Sequence, residues 1–269
     1  MDYCLNSHKG FRTLHFPALK VPGTGHGFTS RQGPGDSRDA FAFLNMGLRT
    51  GEDPRLVKKN HRLFLEGVGL GGSPLVTGEQ VHGSLVAQVG PSRDFRVVPG
   101  ADGLVTDGEG VVLSLFSADC ALVFLVDRRG RAVGIAHAGW RGAVAGIAGE
   151  AVRKLKEGFG SQPRDLLAGI SPCIGACCFE VRDDVVGALR EAGLPEKELL
   201  TPAPGGDSWY LDLKALNIWQ LRRAGVPAGS IFSTSLCTSC RRDLFYSYRR
   251  DKGITGRMMG YIYVERKGR

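Results

Sequence analysis

Three side chains of the sequence could bind one metal ion, and His137 has the most distinctive surroundings. It ends an apolar stretch and begins the run His-Ala-Gly-Trp-Arg-Gly, residues 137–142. The two glycines permit a close backbone approach, while Trp140 and Arg141 supply a flat aromatic surface and a cation. A histidine in such a place can equally be hydrogen-bonded beside the start of a helix. His137 alone therefore does not define a site.

Cys120 and His82 are the other two candidates. Cys120 ends the run Ser-Ala-Asp-Cys between two apolar segments, where a cysteine is commonly a small core residue. Its neighbour Asp119 needs a partner amid apolar sequence, so it could orient a metal ligand or cap a turn. His82 lies 38 residues before Cys120, and His137 lies 17 residues after it. These separations match no local metal-binding motif, so spacing alone predicts no site.

The elements around these residues favour a largely β core. Near-continuous apolar runs at residues 110–116 and 121–127 predict strands buried on both faces. A turn at 127–130 leads into a strand at 132–137, followed by a helix at 142–159. Further helices are predicted at 54–66, 183–192 and 213–224, β structure at 81–89 and 103–105, and a closing strand at 260–264. Strands and helices without strict alternation predict an α+β fold, a single compact domain with a largely β core flanked by helices.

Composition limits the partners of the chain. The 269 residues are 42% hydrophobic and 23% charged, which is typical of a soluble globular protein. The net charge of +8 comes from basic residues spread along the chain, without a nucleic-acid recognition motif, although it could attract phosphate. The N-terminus lacks the apolar core of a signal peptide, and the longest apolar stretch, residues 110–126, is interrupted by Asp119. We expect a cytoplasmic protein that binds neither nucleic acid nor membrane, with its seven cysteines reduced.

An ordered set of motifs resembles the laccase-domain family, whose members resemble a purine nucleoside phosphorylase of unusual fold. The matching segments are residues 26–31, 80–82, 101–104, 117–120, 137–142, 172–175, 237–238, 247–251 and 255–257. The runs His-Ala-Gly-Trp-Arg-Gly and Ser-Ala-Asp-Cys are the most specific of them. The chain departs from the family pattern at residues 33–37 and 171–172, which concerns the expected substrate pocket. The resemblance divides the chain into an N-terminal segment, residues 1–25, and an enzyme domain, residues 26–269.

The resemblance implies a zinc-dependent enzyme of purine nucleosides. The family's metal ligands correspond to His82, Cys120 and His137, and two imidazoles with one thiolate suit zinc and leave a fourth position open. The implied reactions are phosphorolysis of adenosine, inosine and methylthioadenosine, and hydrolytic deamination of adenosine. Purine nucleosides and phosphate are the implied partners.

Arginine suits the binding of a phosphate nucleophile through paired hydrogen bonds. We therefore expect Arg31 and Arg141 to be catalytic residues together with the three metal ligands. Arg31 is the first candidate because the nearby Gly27 and Gly33 would allow a ligand to approach closely. Arg249 or Arg250 could also line the site. For the general acid or base, Asp119 is the available hypothesis.

Two other functions use the same residues. The family's older name implies copper and phenol oxidation, but the chain has six histidines and no His-x-His pair, so it cannot assemble a multicopper cluster. Copper could still occupy the single site, as in a metal-binding protein with copper-linked oxidoreductase activity. A thiol hydrolase is the other alternative, with Cys120 as nucleophile and His82 or His137 as base. Two histidines and no obvious group to orient either one favour the metal.

A second metal site could combine Cys237 and Cys240 with the adjacent pair Cys177 and Cys178. Adjacent cysteines chelate poorly compared with paired Cys-x-x-Cys knuckles, and no histidine lies near them in sequence. The sequence therefore favours core or loop thiols at these four positions.

Overall fold

The strand at the centre of the fold is β9 (Ala121–Asp127), which is buried along its whole length. A computed structural model describes residues 2–91 and 94–266 of the chain. In β9, Leu122 and Phe124 face one hydrophobic core while Val123 and Leu125 face another. Burial on both faces explains why this segment is continuously apolar rather than alternating.

The sixteen strands of the described residues form three sheets. The seven-stranded sheet has the order β1 (Cys4–His8), β2 (Phe11–His15), β3 (Thr24–Thr29), β16 (Met258–Val264), β8 (Val112–Ser117), β4 (Leu75–Gly78) and β6 (Arg96–Val98). The six-stranded sheet has the order β15 (Ile231–Ser233), β11 (Leu166–Ile170), β9, β10 (Val133–Ala138), β7 (Gly103–Thr106) and β5 (Val86–Gln88). A small sheet has the order β12 (Glu180–Val181), β14 (Trp209–Leu211) and β13 (Leu200–Pro202). Both large sheets are mixed, because β4 is parallel to β6 and β8, β5 to β7, and β11 to β15.

Six α-helices and four 3-10 helices occur in the same described ranges. The α-helices are α1 (Pro54–Gly67), α2 (Trp140–Val144), α3 (Ile147–Phe159), α4 (Asp183–Glu191), α5 (Glu196–Leu199) and α6 (Leu213–Arg223). The 3-10 helices are Pro17–Leu19, Asp39–Phe41, Pro163–Asp165 and Ala228–Ser230. Asp53 caps α1 by accepting from Arg55 N, and Asp212 caps α6 by accepting from Ala215 N. None of these helices is long and apolar enough to cross a membrane.

The elements stack in four layers around three hydrophobic cores. Phe64 of α1 packs against the outer face of the seven-stranded sheet. The inner faces of the two large sheets meet, with Leu113 of β8 and Phe124 of β9 in one core. Leu155 of α3 and Leu216 of α6 cover the other face of the six-stranded sheet. The predicted α+β fold with a β core flanked by helices is confirmed.

The helix predicted at residues 142–159 is wrong as a single element, because α2 and α3 replace it. The break lies at Gly146, whose φ of +84° is a left-handed conformation that an α-helix cannot contain. The β structure predicted at 81–89 is also shorter, since only Val86–Gln88 forms a strand. Residues 80–83 instead make a loop that reaches the candidate site.

The first three strands escaped the sequence prediction. In β3, a Cβ atom at Gly25 would lie 2.3 Å from the ring of Tyr263 on β16, and one at Gly27 would lie 2.6 Å from the hydroxyl of Tyr261 on the same strand. The glycines therefore make room for tyrosines, and a strand with two glycines has a weak β pattern. The predicted boundary between residues 25 and 26 lies inside β3. The division into two segments stays a prediction.

Substitution by alanine should change the free energy of unfolding in opposite directions at two glycines, Gly187 and Gly146. Gly187 lies inside α4 with open space where a Cβ would be, so Gly187→Ala should raise the free energy of unfolding by about 0.5–1 kcal/mol. Gly146→Ala should lower it by about 1 kcal/mol or more, because its φ is +84°. Chemical denaturation of both variants measures the difference. A stabilised Gly146→Ala variant would contradict the left-handed break between α2 and α3.

Candidate functional site

The structure brings the three sequence-predicted metal ligands together. His137 lies on β10, Cys120 lies in the turn that joins β8 to β9, and His82 lies in the loop after β4. Their ligand atoms lie within 4.8 Å of one another. The rings of the two histidines are 5.0 Å apart at an angle of 77°. We call these three residues the triad.

A buried carboxylate, Asp102, organises the triad. It accepts a hydrogen bond from His137 Nδ1 at 2.9 Å, and it accepts three more from the backbone N–H groups of Val81, His82 and Gly83 at 2.8–3.0 Å. Because His137 Nδ1 donates to the carboxylate, Nε2 is left to face Cys120 or a metal ion. Asp102 thus fixes one imidazole directly and the loop of the other through the backbone.

The backbone beside the triad is held in an uncommon conformation. His82 has φ +62°, Gln80 has φ +58° and Asp119 has φ +87°. Left-handed conformations cost non-glycine residues on the order of 1 kcal/mol or more each, so surrounding contacts must maintain them. The Gln80 side chain donates to Phe116 O at 2.7 Å and accepts from Phe116 N at 2.8 Å, which ties the loop to β8. Together with Asp102, this clamp sets the position of His82.

Gly139 allows the start of α2 to approach the triad. A Cβ atom at this position would lie 2.7 Å from Cys120 Sγ and 3.6 Å from the His82 ring. Any other residue would therefore push against the thiol. The sequence prediction that a glycine after His137 permits a close approach is confirmed.

Asp119 anchors loops rather than a ligand. One oxygen accepts from Thr238 Oγ1 at 2.6 Å, and the other accepts from Ser247 Oγ at 3.0 Å and Arg249 N at 2.7 Å. The Asp119 carbonyl also accepts from Ile174 N at 2.9 Å. These contacts join two distant loops to the turn that carries Cys120, which differs from the ligand-orienting and turn-capping roles considered from sequence. The role of general acid or base stays a prediction.

The charged forms of the triad residues stabilise one another. Burial alone would raise the pKa of the Cys120 thiol, but the imidazoles of His137 and His82 outweigh burial and lower the pKa to about 6. Burial alone would lower the pKa of His137, but the Cys120 thiolate and the Asp102 carboxylate outweigh it and raise the pKa to about 9. At neutral pH, a thiolate therefore lies beside an imidazolium.

The triad opens into a cavity of about 930 Å³. Four aromatic side chains line it, namely Phe116, Trp140, Phe179 and Tyr248. Four arginines also line it, namely Arg49, Arg141, Arg249 and Arg257. A cavity of this size with flat apolar surfaces and cationic groups suits a ligand that has both a ring system and an anionic part.

The arginines predicted from sequence separate into two groups. Arg141 lines the cavity and stacks over Trp140 at 4.3 Å, and Arg249 lines it with its guanidinium 5.4 Å from the Phe179 ring. Arg250 instead donates hydrogen bonds to the carbonyls of Thr238 and Ser239, and these bonds stabilise the surrounding loop.

Arg31 is not brought to the triad. Its guanidinium donates to Ala42 O at 2.7 Å and 3.1 Å and lies over the Tyr246 ring. Among the described residues that line the cavity, Arg31 does not occur, nor do the departures at residues 33–37 and 171–172. The nearby Gly33, which suggested a ligand approach, faces Leu44 instead.

Arg257 is a cavity residue that sequence reasoning left without a role. Burial lowers its pKa, while the Cys120 thiolate, Tyr248 and Asp119 act in the opposite direction. The guanidinium therefore lies within electrostatic reach of the triad. A Cβ atom at Gly47 would lie 2.5 Å from Arg257 Cγ, so glycine makes room for this side chain. The motif at residues 255–257 was the available indication.

Comparisons with known proteins show the family and relatives of this chain. The family described as multi-copper polyphenol oxidoreductase laccase matches residues 25–265. The purine nucleoside phosphorylase YlmD of Geobacillus stearothermophilus is 42% identical over 243 residues, which cover 88% of each chain. The adenosine deaminase RL5 of an unknown prokaryotic organism is 31% identical and covers 88% of this chain and 92% of its own. The crystal structure of YlmD from Geobacillus stearothermophilus covers 98% of this chain and 99% of its own, with 38% identity and a TM-score of 0.89.

Alkylation should reveal the lowered pKa of Cys120. In protein stripped of metal, the rate of modification at Cys120 by iodoacetamide should rise with pH with a midpoint near 6, because the thiolate is the reactive form. Peptide mass spectrometry separates this cysteine from the other six. A midpoint near the ordinary value of 9.0 would contradict the stabilisation of the thiolate by the two imidazoles.

Two carboxylate variants test the cause of that shift. Asp102→Asn removes the charge that helps to raise the pKa of His137, so the Cys120 midpoint should move upward. Asp127→Asn is the matched control, since Asp127 is equally buried but bonds Arg129 and Ser161 at the far end of β9. Its midpoint should stay near 6.

Proposed function

The chain belongs to the family described as multi-copper polyphenol oxidoreductase laccase, and we propose that it is a zinc-dependent enzyme of purine nucleosides. The observation that carries the proposal is the triad, whose ligand atoms converge within 4.8 Å at the wall of a cavity large enough for a nucleoside. The names of the relatives, phosphorylase for one and deaminase for another, supply the substrate class. The proposed reactions are phosphorolysis of adenosine, inosine and methylthioadenosine, and hydrolytic deamination of adenosine.

The donor set of the triad fits zinc. One thiolate and two imidazoles are ligands that zinc accepts, and a site with three protein ligands keeps a fourth position open for water or substrate. Zinc bound there would act as a Lewis acid and activate a water molecule near neutral pH. The hydrogen bond from His137 Nδ1 to Asp102 would hold this imidazole in the orientation that binding requires.

The chain has too few histidines to form a multicopper centre. In the described ranges, two groups of three or more candidate ligands converge, namely the triad and a group made of cysteines alone. Three of the other histidines are bonded elsewhere; His15 donates to His26 O, His26 accepts from Phe16 N, and His61 donates to Met46 O. A single copper ion in the triad stays an alternative to zinc, together with the oxidoreductase activity that it would support.

Phosphate is best placed beside Arg257. This side chain lines the cavity and interacts electrostatically with Cys120, so an anion bound to it would lie near the triad. Arg141 and Arg249 line the same cavity and could complete the phosphate site. Arg31, whose guanidinium bonds a backbone carbonyl, stays a prediction of the sequence without support from its position. Trp140 or Phe116 offers the apolar face on which a purine could stack.

A thiol hydrolase is the second candidate, and one contact favours it. Asp102 orients His137, which lies beside Cys120, so the site contains the base, nucleophile and orienting group of a cysteine hydrolase. The sequence offers no obvious group to orient either histidine, and Asp102, 35 residues from His137 in sequence, is such a group. The second imidazole, His82, has no role in that mechanism but completes a metal site, and for this reason we prefer zinc.

Product analysis with adenosine tests the proposed function. With phosphate, adenine and ribose 1-phosphate should form together with inosine, whereas without phosphate inosine should be the product. Removal of metal by a chelator should stop both reactions, and added Zn²⁺ should restore them. Turnover that survives complete metal removal would favour the thiol hydrolase. No product from adenosine, inosine or methylthioadenosine would overturn the assignment.

An arginine variant separates phosphorolysis from deamination in the same assay. Arg257→Gln should reduce phosphorolysis about tenfold or more, the equivalent of a charged hydrogen bond of about 1.5–3 kcal/mol. Deamination by this variant should change much less, because water replaces phosphate as the nucleophile. Arg153→Gln, on the outer face of α3 between Glu150 and Glu157, is the control that should leave both reactions unchanged.

A further inference from the structure

Four cysteines from two distant loops converge outside the triad. Cys177 and Cys178 lie in the 171–179 loop, and Cys237 and Cys240 lie in the 234–257 segment. Their sulfur atoms lie within 4.8 Å of one another, and Cys240 Sγ is 3.6 Å from Cys177 Sγ and 3.5 Å from Cys178 Sγ. We call them the four-cysteine cluster.

The spacing of the sulfur atoms is that of metal ligands and not of disulfides. A disulfide bond is about 2.05 Å long, and all four cysteines are free thiols. Four thiolates placed tetrahedrally at about 2.3 Å from a zinc ion are about 3.8 Å apart. The two separations are close to this value, and the upper bound of 4.8 Å requires only small movements of the side chains, of which Cys177 and Cys240 are exposed.

We propose that the four-cysteine cluster binds a structural Zn²⁺ ion, a second metal site separate from the triad. Four thiolates without an open position are the ligand set of closed structural zinc sites. The proposal does not depend on nucleoside chemistry.

The local backbone supports this use of the cysteines. Cys237 and Cys240 form a Cys-x-x-Cys turn in which Arg241 N donates to Cys237 O at 3.0 Å. Gly175 N donates to Cys237 Sγ at 3.2 Å, a contact that stabilises a thiolate. A Cβ atom at Gly175 would lie 3.3 Å from Cys177 Sγ, so glycine keeps the approach open.

In the sequence, the adjacent positions of Cys177 and Cys178 spoke against a metal site. The turn that contains these two cysteines allows both of them to reach one ion. Cys178 N donates to Gly175 O at 2.9 Å, which closes a tight turn over residues 175–178. Within this turn, both sulfur atoms approach Cys240. Adjacent positions can therefore reach one ion because the backbone bends sharply at residues 175–178.

A zinc ion here would stiffen one wall of the cavity. The two loops are already joined by two hydrogen bonds, in which Thr238 N donates to Cys173 O at 3.0 Å and Gly175 N donates to Cys237 Sγ at 3.2 Å. Both loops also bond Asp119, through Ile174 N and through Thr238 Oγ1 and Arg249 N. The ion would thus fix Arg249 and the turn that carries Cys120 without touching a substrate.

Metal counting in the absence of the triad tests the proposal. The full chain with His82→Ala, Cys120→Ala and His137→Ala, purified under reducing conditions without a histidine tag, should retain one zinc per chain in native mass spectrometry and elemental analysis. Adding Cys177→Ser and Cys240→Ser should remove that zinc, whereas adding Cys4→Ser, in strand β1 and outside the cluster, should not. Loss of nucleoside activity plays no part in this measurement.

A second readout uses the otherwise wild-type chain. Co²⁺ bound by four thiolates gives strong sulfur-to-cobalt charge-transfer absorption. Cys177→Ser with Cys240→Ser should remove most of it and leave the weaker band of the single thiolate of Cys120, whereas Cys120→Ala should largely preserve it. A folded triad variant without zinc would overturn the proposal, as would zinc that survives the cysteine substitutions in the triad variant. A metal-free protein with a mass lower by two hydrogens for each cysteine pair would show disulfides instead.

Discussion

The buried carboxylate of Asp102 is the constraint on which the site depends. A charge with no exposed surface must be compensated by hydrogen bonds, and here three backbone N–H groups and one imidazole supply them. These bonds draw the loop of His82 over the end of β10 and leave His137 Nε2 facing Cys120. The left-handed backbone of His82 is therefore a consequence of satisfying a buried charge.

The layered fold supplies the rigid frame for this arrangement. β9 and β10 pair in register, with Ala121 opposite Ala138, so Cys120 and His137 emerge at the same end of one hairpin. Loops from distant parts of the chain then close around that end. Asp119 binds two of them, and in our proposal a zinc ion in the four-cysteine cluster joins the same two. Rigid strands therefore position the ligands, and cross-linked loops shape the cavity.

Sequence reasoning predicted what short-range patterns determine. The apolar run at 121–127 coincides with β9, and Pro54 with a helical pattern predicted α1 within one residue. The triad came from family motifs, because its members are far apart in sequence. Long-range contacts explain the omissions: Asp102 becomes an orienting group only when β7 pairs with β10, and the four cysteines meet only across two loops. Arg31 shows the converse, since flanking glycines suggested a ligand where the fold provides Ala42 and Tyr246.

Anomalous diffraction can identify which metal, zinc or copper, the triad binds. Crystals of the full chain, with data recorded on both sides of the zinc and copper absorption edges, locate each element separately. We expect a zinc peak about 2.0–2.3 Å from the two imidazoles and from Cys120 Sγ, on the side of the cavity. The absence of any anomalous peak between these three residues in zinc-supplied crystals, or a peak that responds only at the copper edge, would contradict it.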